Sequence, residues 1–395
     1  MSVSVVFLRS NPIAPDPRVE KEASCLADAG YSVRVIAWDR SAELLALEER
    51  GKVRIERLPI AARYGRGLAN FPALLRWQMG LVHWLSAHRN EYTIIHACDF
   101  DTILPALWLK ARHGKTVVYD IFDFYADHLR ATPSWIKAVI RRMDTWAIGR
   151  ADALILADDA RLRQISGASP RSVTVIYNSP EDQKQSPEEK SRESAGSAEE
   201  WRLKIAYVGL LQIERGLVEL LEVLARRPEW HLDLAGFGGD EEQVLQLARA
   251  LPNVTWHGRV LYDEALALTA QAEVLVATYD PTIPNHRYAS PNKIFEAMML
   301  GKPVVVAAGT HMDELIQAGG CGLVVQYGDV DALEGALASL AADPALRQAL
   351  GEAARSLYER SYSWERMRQR ILDLYGQLPA RAGAQPSPER AERSA

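Results

Sequence analysis

The sequence predicts two α/β domains, each built on a mostly parallel sheet with helices on both faces. Short apolar runs alternate with segments of helical period, which is typical of buried parallel strands joined by crossover helices. One polar stretch interrupts this alternation, which then resumes. The length of 395 residues, with 48% hydrophobic and 25% charged residues, suits two ordinary globular domains.

The first predicted domain covers residues 1–182. Its apolar runs are expected to be strands, at residues 3–7, 33–37, 53–55, 93–96, 116–119, 153–157 and 173–176. Between the first two runs, Val19, Ala23, Leu26 and Ala27 recur at spacings of three and four residues or lie beside such a position. That spacing indicates an amphipathic helix between two strands, as a parallel sheet requires.

A linker is predicted over residues 183–201, where the chain is acidic, rich in serine and almost free of large apolar residues. The second domain then covers residues 202–362. Its predicted strands are residues 204–208, 232–235, 254–256, 274–277, 303–307 and 323–325. A capped helix is expected over residues 363–378, with Met367, Ile371, Leu372 and Tyr375 on one face. Residues 379–395 are rich in proline and charge and are expected to be disordered.

Composition excludes several classes of protein. The formal net charge is −5, from 46 Lys and Arg against 51 Asp and Glu, so we expect no binding of nucleic acid by the chain as a whole. The three cysteines lie far apart without a CxxC pair, and we expect neither a zinc site nor disulfides. The N-terminal run lacks the basic and apolar regions of a signal peptide, and no apolar run reaches the roughly 18 residues of a membrane span. These patterns favour a soluble cytoplasmic protein.

The segment 290–306 carries the most specific signal for a ligand. Ser290 suits the N-cap of a short helix, Pro291 its first turn, and Gly301 the left-handed residue after its end. The free N–H groups at such a helix start favour a phosphate, near Asn292 and Lys293. Glu296, one turn further on, is suited to accept hydrogen bonds from ribose hydroxyls. An ordinary amphipathic helix with a surface Glu–Lys pair is the alternative.

Two glycine-containing segments precede the segment 290–306. Gly209 ends a predicted strand, and Arg215 follows at the start of a helix, where the carboxyl ends of parallel strands bind ligands. An arginine there can bind a diphosphate through two hydrogen bonds. Gly236 lies in a glycine-rich turn after the next strand. Each feature alone is equally compatible with a surface arginine or an ordinary turn.

In this order, the motifs resemble the C-terminal half of glycosyltransferase family 4, retaining enzymes of the GT-B fold that use nucleotide-sugar donors. Segments 16–23, 96–105 and 118–120, together with Asn178, are similar to that family's N-terminal half. The resemblance implies two Rossmann-like domains facing each other across a cleft, with acceptor in the first and donor in the second. It also implies that the helix over 363–378 crosses back to the first domain.

The resemblance assigns roles to residues of the second domain. Glu296 resembles the second glutamate of the family's Glu-x7-Glu motif, which binds ribose, and Arg215 matches its diphosphate-binding cation. Lys293 is similar to a sub-group with Pro-Ser-Lys at this place, here Pro-Asn-Lys, and is expected to share the catalytic role of Arg215. Gly209, Gly236 and Asn292 complete the predicted nucleotide site.

The sequence also departs from the family. Leu210 stands where an arginine is usual, Tyr288 where the first motif glutamate is usual, and Phe122 where a histidine is usual. Because the last two changes remove polar partners for a sugar, we expect a deoxy or N-acetylated donor sugar. Asp16, Arg18, Asp99, Phe122 and Tyr288 are the predicted acceptor or cleft residues.

Two further groups of residues in the first domain could indicate other chemistry. Asp99 and Asp101 form an Asp-x-Asp, a pattern that can bind a metal-bound sugar nucleotide, but it lies in the first domain, away from the predicted phosphate site. His96 and Cys98 can share a strand face, yet no third group orients them, so Cys98 is expected to be a buried thiol. No metal site is predicted.

The predicted function is therefore transfer of a sugar from a UDP- or GDP-linked donor, a substrate rather than a cofactor, to a glycan or lipid-linked acceptor. Retention of configuration and a place in cell-surface polysaccharide or glycoconjugate synthesis are expected. A nucleotide-sugar 2-epimerase of the same fold and a non-catalytic scaffold are the alternatives.

Two segments indicate a further partner. Residues 74–84 are apolar and contain indoles, and residues 135–142, with Arg130 upstream, are basic and amphipathic. Such segments are typical of proteins that bind an anionic membrane surface. The predicted location is thus cytoplasmic and peripheral on the inner face of the plasma membrane. The alternative is that these helices simply cover the first sheet.

Overall fold

The structure is a computed structural model that describes residues 3–62, 70–129, 132–183 and 201–379. The chain divides into two compact units. The first contains the residues up to Ile176 and those from Arg368 onward, and the second runs from Tyr177 to Met367. Of the predicted linker 183–201 only residues 183 and 201 are described, and of the predicted tail 379–395 only residue 379.

The first unit is built on an eight-stranded sheet in the order β3-β4-β2-β1-β5-β6-β7-β8. The strands are β1 Ser4–Arg9, β2 Ser32–Asp39, β3 Leu47–Arg50, β4 Val53–Pro59, β5 Ile94–Cys98, β6 Thr116–Ile121, β7 Ala153–Leu156 and β8 Val173–Val175. All neighbours are parallel except β3, which pairs with β4 in the antiparallel sense. The edge strand β3 was not predicted, because its exposed and polar residues give no apolar run.

Helices cover this sheet on both faces. They are α1 Pro17–Asp28, α2 Phe71–Ala87, α3 Phe100–His113, α4 Tyr125–His128, α5 Ser134–Ile148 and α6 Arg161–Gln164. Helix α1 begins at Pro17 after the N-cap Asp16, whose carboxylate accepts a hydrogen bond from the N–H of Val19, and it buries the predicted stripe of Val19, Ala23 and Leu26. Helices α2, α3 and α5 share one apolar core with the sheet, which includes Trp77, Ile103 and Ile148.

The second unit contains a six-stranded, fully parallel sheet in the order β11-β10-β9-β12-β13-β14. Its strands are β9 Leu203–Leu210, β10 Trp230–Phe237, β11 Val254–Trp256, β12 Val274–Ala277, β13 Val304–Ala307 and β14 Gly322–Val325. Its helices are α7 Leu217–Arg226, α8 Glu241–Ala248, α9 Tyr262–Gln271, α10 Pro284–Arg287, α11 Asn292–Leu300, α12 His311–Gly319, α13 Val330–Ala342 and α14 Pro344–Leu357. All six strands predicted from the sequence are present.

Each sheet has a point where the strand order reverses. In the first, β1 lies between β2 and β5, and in the second, β9 lies between β10 and β12. The loops that leave such neighbouring strands diverge to opposite faces of the sheet and leave a crevice beyond the carboxyl ends. Candidate ligand sites are therefore expected beyond β1 and β5, and beyond β9 and β12.

The last helix, α15 Trp364–Gln377, begins in the second unit, and its residues from Arg368 onward belong to the first. Met367, Ile371 and Tyr375 are buried as predicted. The fourth buried position is Leu374 and not Leu372, which is only half-buried. Positions 367, 371, 374 and 375 are spaced so that they lie on one face of the helix, whereas position 372 lies outside that face.

Two further expectations need correction. Helix α11 begins at Asn292 with Pro291 as its N-cap, so Ser290 is not the cap; Pro291 has an extended backbone, with ψ of 139°. In the segment 74–84, Trp77, Leu81 and Trp84 are buried in the core of the first unit, so these indoles do not face outward. None of the helices in the described ranges combines the length and hydropathy needed to cross a bilayer.

Candidate functional site

The crevice beyond β9 and β12 holds the cations predicted for a diphosphate. Gly209 is the last residue but one of β9, with φ of +150°, and a Cβ placed on it would lie 3.5 Å from Nζ of Lys293. Arg215 and Gly216 are the last residues of the loop that leads from β9 to α7, and a Cβ on Gly216 would approach Oγ1 of Thr278 to 2.0 Å. Because Thr278 directly follows β12, both cations lie where the strand order reverses.

Glycines let the neighbouring strands β9 and β10 end side by side. Gly209 and Gly236 are direct partners in the parallel pairing of β9 and β10. A Cβ on Gly236, whose φ is +147°, would lie 1.8 Å from the carbonyl oxygen of Gly209. Beyond them, the N–H of Leu211 donates to the carbonyl of Phe237 at 2.8 Å. Gly236, predicted to lie in a turn, is therefore part of β10, and the end of that strand has a specific steric requirement there.

We expect Gly236→Ala to destabilise the second unit by roughly 2 kcal/mol or more, because the new methyl group meets backbone that cannot rotate away. Gly239→Ala, just after the end of β10, is the matched control, since nothing lies within 4 Å of a Cβ there. Denaturant midpoints of both variants measure the difference. Equal midpoints would show that the turn relaxes at no cost.

Arg215 is oriented by two neighbours. Its Nε donates to the Gln212 side chain at 2.9 Å, and one terminal nitrogen donates to the Tyr279 hydroxyl at 2.8 Å. Its guanidinium also lies over the Tyr279 ring, 4.7 Å from the centroid. These contacts fix the plane of the guanidinium at the end of β12.

Lys293 is the unusual group of the site. Its side chain projects from the first turn of α11 and is 7% exposed, and its ammonium has no hydrogen-bond partner among the described residues. Nζ lies 3.4 Å from the centroid of the Tyr207 ring and 5.9 Å from that of Tyr279. Burial, with the nearby charge of Arg215, lowers the pKa of Lys293 well below its usual value, and the charge of Glu296 only partly opposes this.

Glu296 lies on the same helix as Lys293, one turn further on, and is half-buried. The Tyr262 hydroxyl hydrogen-bonds to its carboxylate, and the pKa of Tyr262 is raised by burial and by the charge of Glu296. Asn292 is exposed at the start of the helix, and the Asn178 amide holds the preceding turn by donating to the carbonyl of Ser290 at 2.8 Å. Tyr288 is half-buried at the end of the short helix α10.

Sequence reasoning missed the aromatic residues of this site. Tyr207 and Tyr279 are each 1% exposed, and their rings face the two cations, whereas Tyr262 holds Glu296. The only signal in the sequence was position, because Tyr207 lies in the second half of β9 and Tyr279 follows β12 by two residues. Core tyrosines give the same pattern, so the sequence alone does not separate them.

The first unit gathers four of the predicted cleft residues beyond β1, β5 and β6. Arg9, at the end of β1, pairs with Asp16 at 2.8 Å and also with Asp99. The Phe122 ring lies against the guanidinium groups of Arg9 and Arg18, at 4.1 and 4.8 Å. The structure thus brings Asp16, Arg18, Asp99 and Phe122 together around Arg9, which was not predicted.

The carboxylates of this cluster differ in environment. Burial alone would raise the pKa of Asp16, but the Arg9 guanidinium and the Asn11 amide lower it below its usual value. Burial raises the pKa of Asp99 to about 6, against the opposing charge of Arg9. Asp99 also has a φ of +62°, an uncommon conformation for a residue with a side chain.

Arg18 belongs to a deeper network. It binds Asp120 at 3.0 Å, Glu22 at 3.2 Å and the carbonyl of Ile176 at 2.6 Å. The pKa of Glu22 is raised by burial and, against the charge of Arg18, by the neighbouring Asp120.

His96 and Cys98 adjoin this network. His96 lies 3.4 Å from Asp120 and 2.7 Å from the Tyr375 hydroxyl, and burial lowers its pKa. Cys98 is fully buried, as predicted, and burial raises the pKa of its thiol. Atoms of His96, Cys98 and Asp120 lie within 4.8 Å of one another, but Arg18 already pairs with Asp120, so we assign no ion there.

Two family models match the chain. The model described as "Glycosyl transferase 4-like domain" matches residues 15–179, and the one described as "Glycosyl transferases group 1" matches residues 188–357. The chain is a GT-B glycosyltransferase. The predicted enzyme class is confirmed, as is the family at this level, whereas the sub-group defined by Lys293 stays a prediction.

Relatives and solved structures agree with this assignment. The chain is 26% identical over 310 residues to the glycogen synthase of Mycobacterium tuberculosis, a match that covers 75% of this glycosyltransferase and 71% of that protein. The structure resembles sucrose-phosphate synthase from Thermosynechococcus elongatus, with a TM-score of 0.79, 19% identity, and coverage of 96% of this chain and 100% of that one. It also resembles Anabaena HepE in complex with UDP, with a TM-score of 0.72, 19% identity and the same coverage. The predicted GT-B fold class is confirmed.

Proposed function

We propose that this glycosyltransferase moves a sugar from a UDP- or GDP-linked donor, and that the donor diphosphate binds in the crevice beyond β9 and β12. The observation that carries the proposal is the buried ammonium of Lys293 beside Arg215. A buried cation without a hydrogen-bond partner costs stability. A diphosphate at this place would provide the opposite charge and the acceptor oxygens that the described residues do not give Lys293.

The other residues take supporting roles. Arg215 would bind the diphosphate through two N–H groups, and the N-terminus of α11 at Asn292 would donate backbone N–H groups. Gly209 and Gly236 would let the diphosphate approach the strand ends without meeting a side chain. Glu296, held by Tyr262, would accept hydrogen bonds from the ribose hydroxyls.

The proposed chemistry places the two cations at the leaving group. As the bond between the sugar and the diphosphate breaks, negative charge grows on the diphosphate, and Arg215 and Lys293 stabilise that charge more in the transition state than in the ground state. The proposal includes no resident cofactor or metal, and the donor is a substrate. Retention of configuration, as the family resemblance implies, is part of the proposal.

The acceptor is proposed to be a glycan or a lipid-linked glycan of a cell-surface polysaccharide or glycoconjugate. The cluster of Asp16, Arg18, Asp99 and Phe122 in the first unit would bind this acceptor. Tyr288 in the second unit is proposed to face the donor sugar. A lipid-linked acceptor would bring the enzyme to an anionic membrane surface, which we propose to be the inner face of the plasma membrane.

A thermal-shift series with nucleoside diphosphates and their sugars tests the donor, and mass spectrometry of lipid-linked acceptors incubated with the donor that binds best tests the transfer. Stabilisation by a UDP or GDP series followed by a product one sugar heavier is the expected result. Isomerisation of the donor sugar without an acceptor would instead indicate an epimerase, and the absence of binding would indicate a scaffold.

We expect Glu296→Ala to weaken nucleoside diphosphate binding by roughly 1.5–3 kcal/mol through the loss of charge-assisted hydrogen bonds. Inorganic pyrophosphate, which has no ribose, should lose less affinity. Isothermal calorimetry with both ligands measures the difference, and Glu222→Ala, at an exposed surface ion pair, is the control. Equal losses for both ligands would contradict the ribose assignment.

A further inference from the structure

Three helices of the first unit form one layer over its sheet. α2, α3 and α5 pack on the same core, and Nζ of Lys110 on α3 donates to the carbonyl of Arg150, just beyond α5, at 2.8 Å. The sides of these helices that point to the sheet are filled by apolar residues such as Trp77, Leu107 and Ile148. Their outer sides therefore form a single surface, which we call the helix-layer face.

The helix-layer face is apolar to an extent that the core does not explain. Phe71, Leu75 and Met79 are 61%, 49% and 56% exposed, at a spacing of four residues along α2. On α5, Trp135 is 69% exposed, and the outward apolar positions continue at the same or a similar spacing through Val139, Met143 and Trp146. Trp108 is also exposed, on α3, the helix that lies between α2 and α5 in the sequence. An apolar stripe directed away from the core is typical of a binding surface.

An open groove lies between α2 and α3. Its volume is about 570 Å³, and it is lined by Gln78, Met79, Val82, His83, Ser86, Leu104, Pro105 and Trp108. Most of these lining groups are apolar, so the groove suits part of an acyl chain better than a polar ligand.

The charges that α2, α3 and α5 expose have one sign. Within α2, α3 and α5, whose residues are all described, the carboxylates are Asp101 and Asp144, and both are buried. The same helices carry six cations, namely Arg76, Lys110, Arg112, Lys137, Arg141 and Arg142. Two of these cations pair with carboxylates outside the three helices, Arg141 with Asp127 and Lys110 with Asp152. A cationic, apolar face on a chain of net charge −5 indicates a segregated surface.

We propose that the helix-layer face lies on an anionic lipid bilayer, with Trp135, Trp146 and Phe71 at the level of the lipid headgroups. Exposed indoles beside lysine and arginine are suited to that interface, where the rings meet acyl chains and the cations meet lipid phosphates. A second copy of this chain fits less well, because a two-fold contact would oppose the cations of one face with those of the other. The purpose of this membrane contact rests on the proposed lipid-linked acceptor. Its physical basis, the exposed indoles and cations, does not.

Flotation of the full chain with vesicles tests the proposal. The wild type should float with vesicles that contain phosphatidylglycerol at low ionic strength, less at high salt, and little with phosphatidylcholine alone. Trp135→Ser combined with Val139→Ser should lower the floating fraction by about tenfold or more, and so should Lys137→Gln combined with Arg142→Gln. Leu247→Ser and Arg249→Gln, at exposed positions of or beside α8 in the second unit, are the matched controls and should float as the wild type does.

Nucleoside diphosphate affinity, measured on the same samples, separates this proposal from the proposed function, because none of these residues lies in the donor crevice. Unchanged affinity with lost flotation supports the helix-layer face. No flotation of the wild type on phosphatidylglycerol, or equal flotation of every variant, would overturn it. A wild-type dimer that dissociates on Trp135→Ser with Val139→Ser, without flotation, would also overturn it and identify a protein interface.

Discussion

Replacing Lys293 by methionine is expected to remove most of the turnover while making the folded enzyme more stable. Loss of one preorganised cation at a developing charge typically lowers kcat by about 10²–10³. Stability should rise by roughly 1 kcal/mol or more, because methionine fills similar space without a buried, partnerless ammonium. A residue with a purely structural role would lose stability and activity together.

The pH dependence follows from the direction of the pKa shift. The folded-state pKa of Lys293 lies below its unfolded value, so the unfolded chain binds more protons in the interval between the two. This residue therefore contributes a free energy of unfolding that rises with pH up to the ordinary lysine pKa. Denaturant unfolding of wild type and Lys293→Met across neutral to alkaline pH measures this, and the difference between them should shrink as pH rises.

Donor binding should reverse the shift. A diphosphate beside Nζ favours the ammonium, so binding should take up about one proton per site where the free lysine is neutral, and affinity should rise as pH falls. Calorimetry in buffers of different ionisation enthalpy counts the protons. Lys293→Met should take up fewer protons on donor binding. An unchanged number of protons together with unchanged turnover would contradict the assignment of Lys293 to the diphosphate site.

Arg215→Ala should lower kcat by about 10²-fold with a smaller effect on donor affinity, since its charge matters most when the diphosphate leaves. Arg215→Lys should recover only part of the loss, because an ammonium does not reproduce two parallel N–H donors. Tyr279→Phe removes the 2.8 Å hydrogen bond that orients the guanidinium and should give a smaller decrease.

Arg249→Ala, at an exposed position, is the control for this series. Activity is expected to persist in EDTA if the two cations neutralise the diphosphate without a metal ion. Loss of all activity on chelation, with Arg215→Ala close to wild type, would contradict the proposed role of the cations and return attention to Asp99 and Asp101.

The fold was largely predictable because buried parallel strands and their crossover helices have distinct periods. Every predicted apolar run in the described ranges corresponds to a strand, whereas β3 was missed because an exposed edge strand need not be apolar. The N-cap of α11 was predicted at Ser290 but is Pro291, so the helix begins one residue later than predicted, because local sequence defines the ends of a helix less sharply than its middle. For the segment 74–84 the sequence did not show which apolar residues face the core and which face outward, because buried and exposed apolar residues of one helix look alike in sequence.

Of the candidate site, the sequence by itself determined the residue types and their order: Gly209, Arg215, Gly236, Lys293 and Glu296 at strand ends and a helix start, together with the family resemblance they carry. Only the tertiary structure decided that Lys293 is buried without a hydrogen-bond partner, that Tyr207 and Tyr279 face the cations, and that Arg9 joins Asp16 to Asp99. The physical reason is that local sequence sets backbone conformation and periodicity. Burial, charge pairing and the pKa of a group depend on residues brought close by strands far apart along the chain.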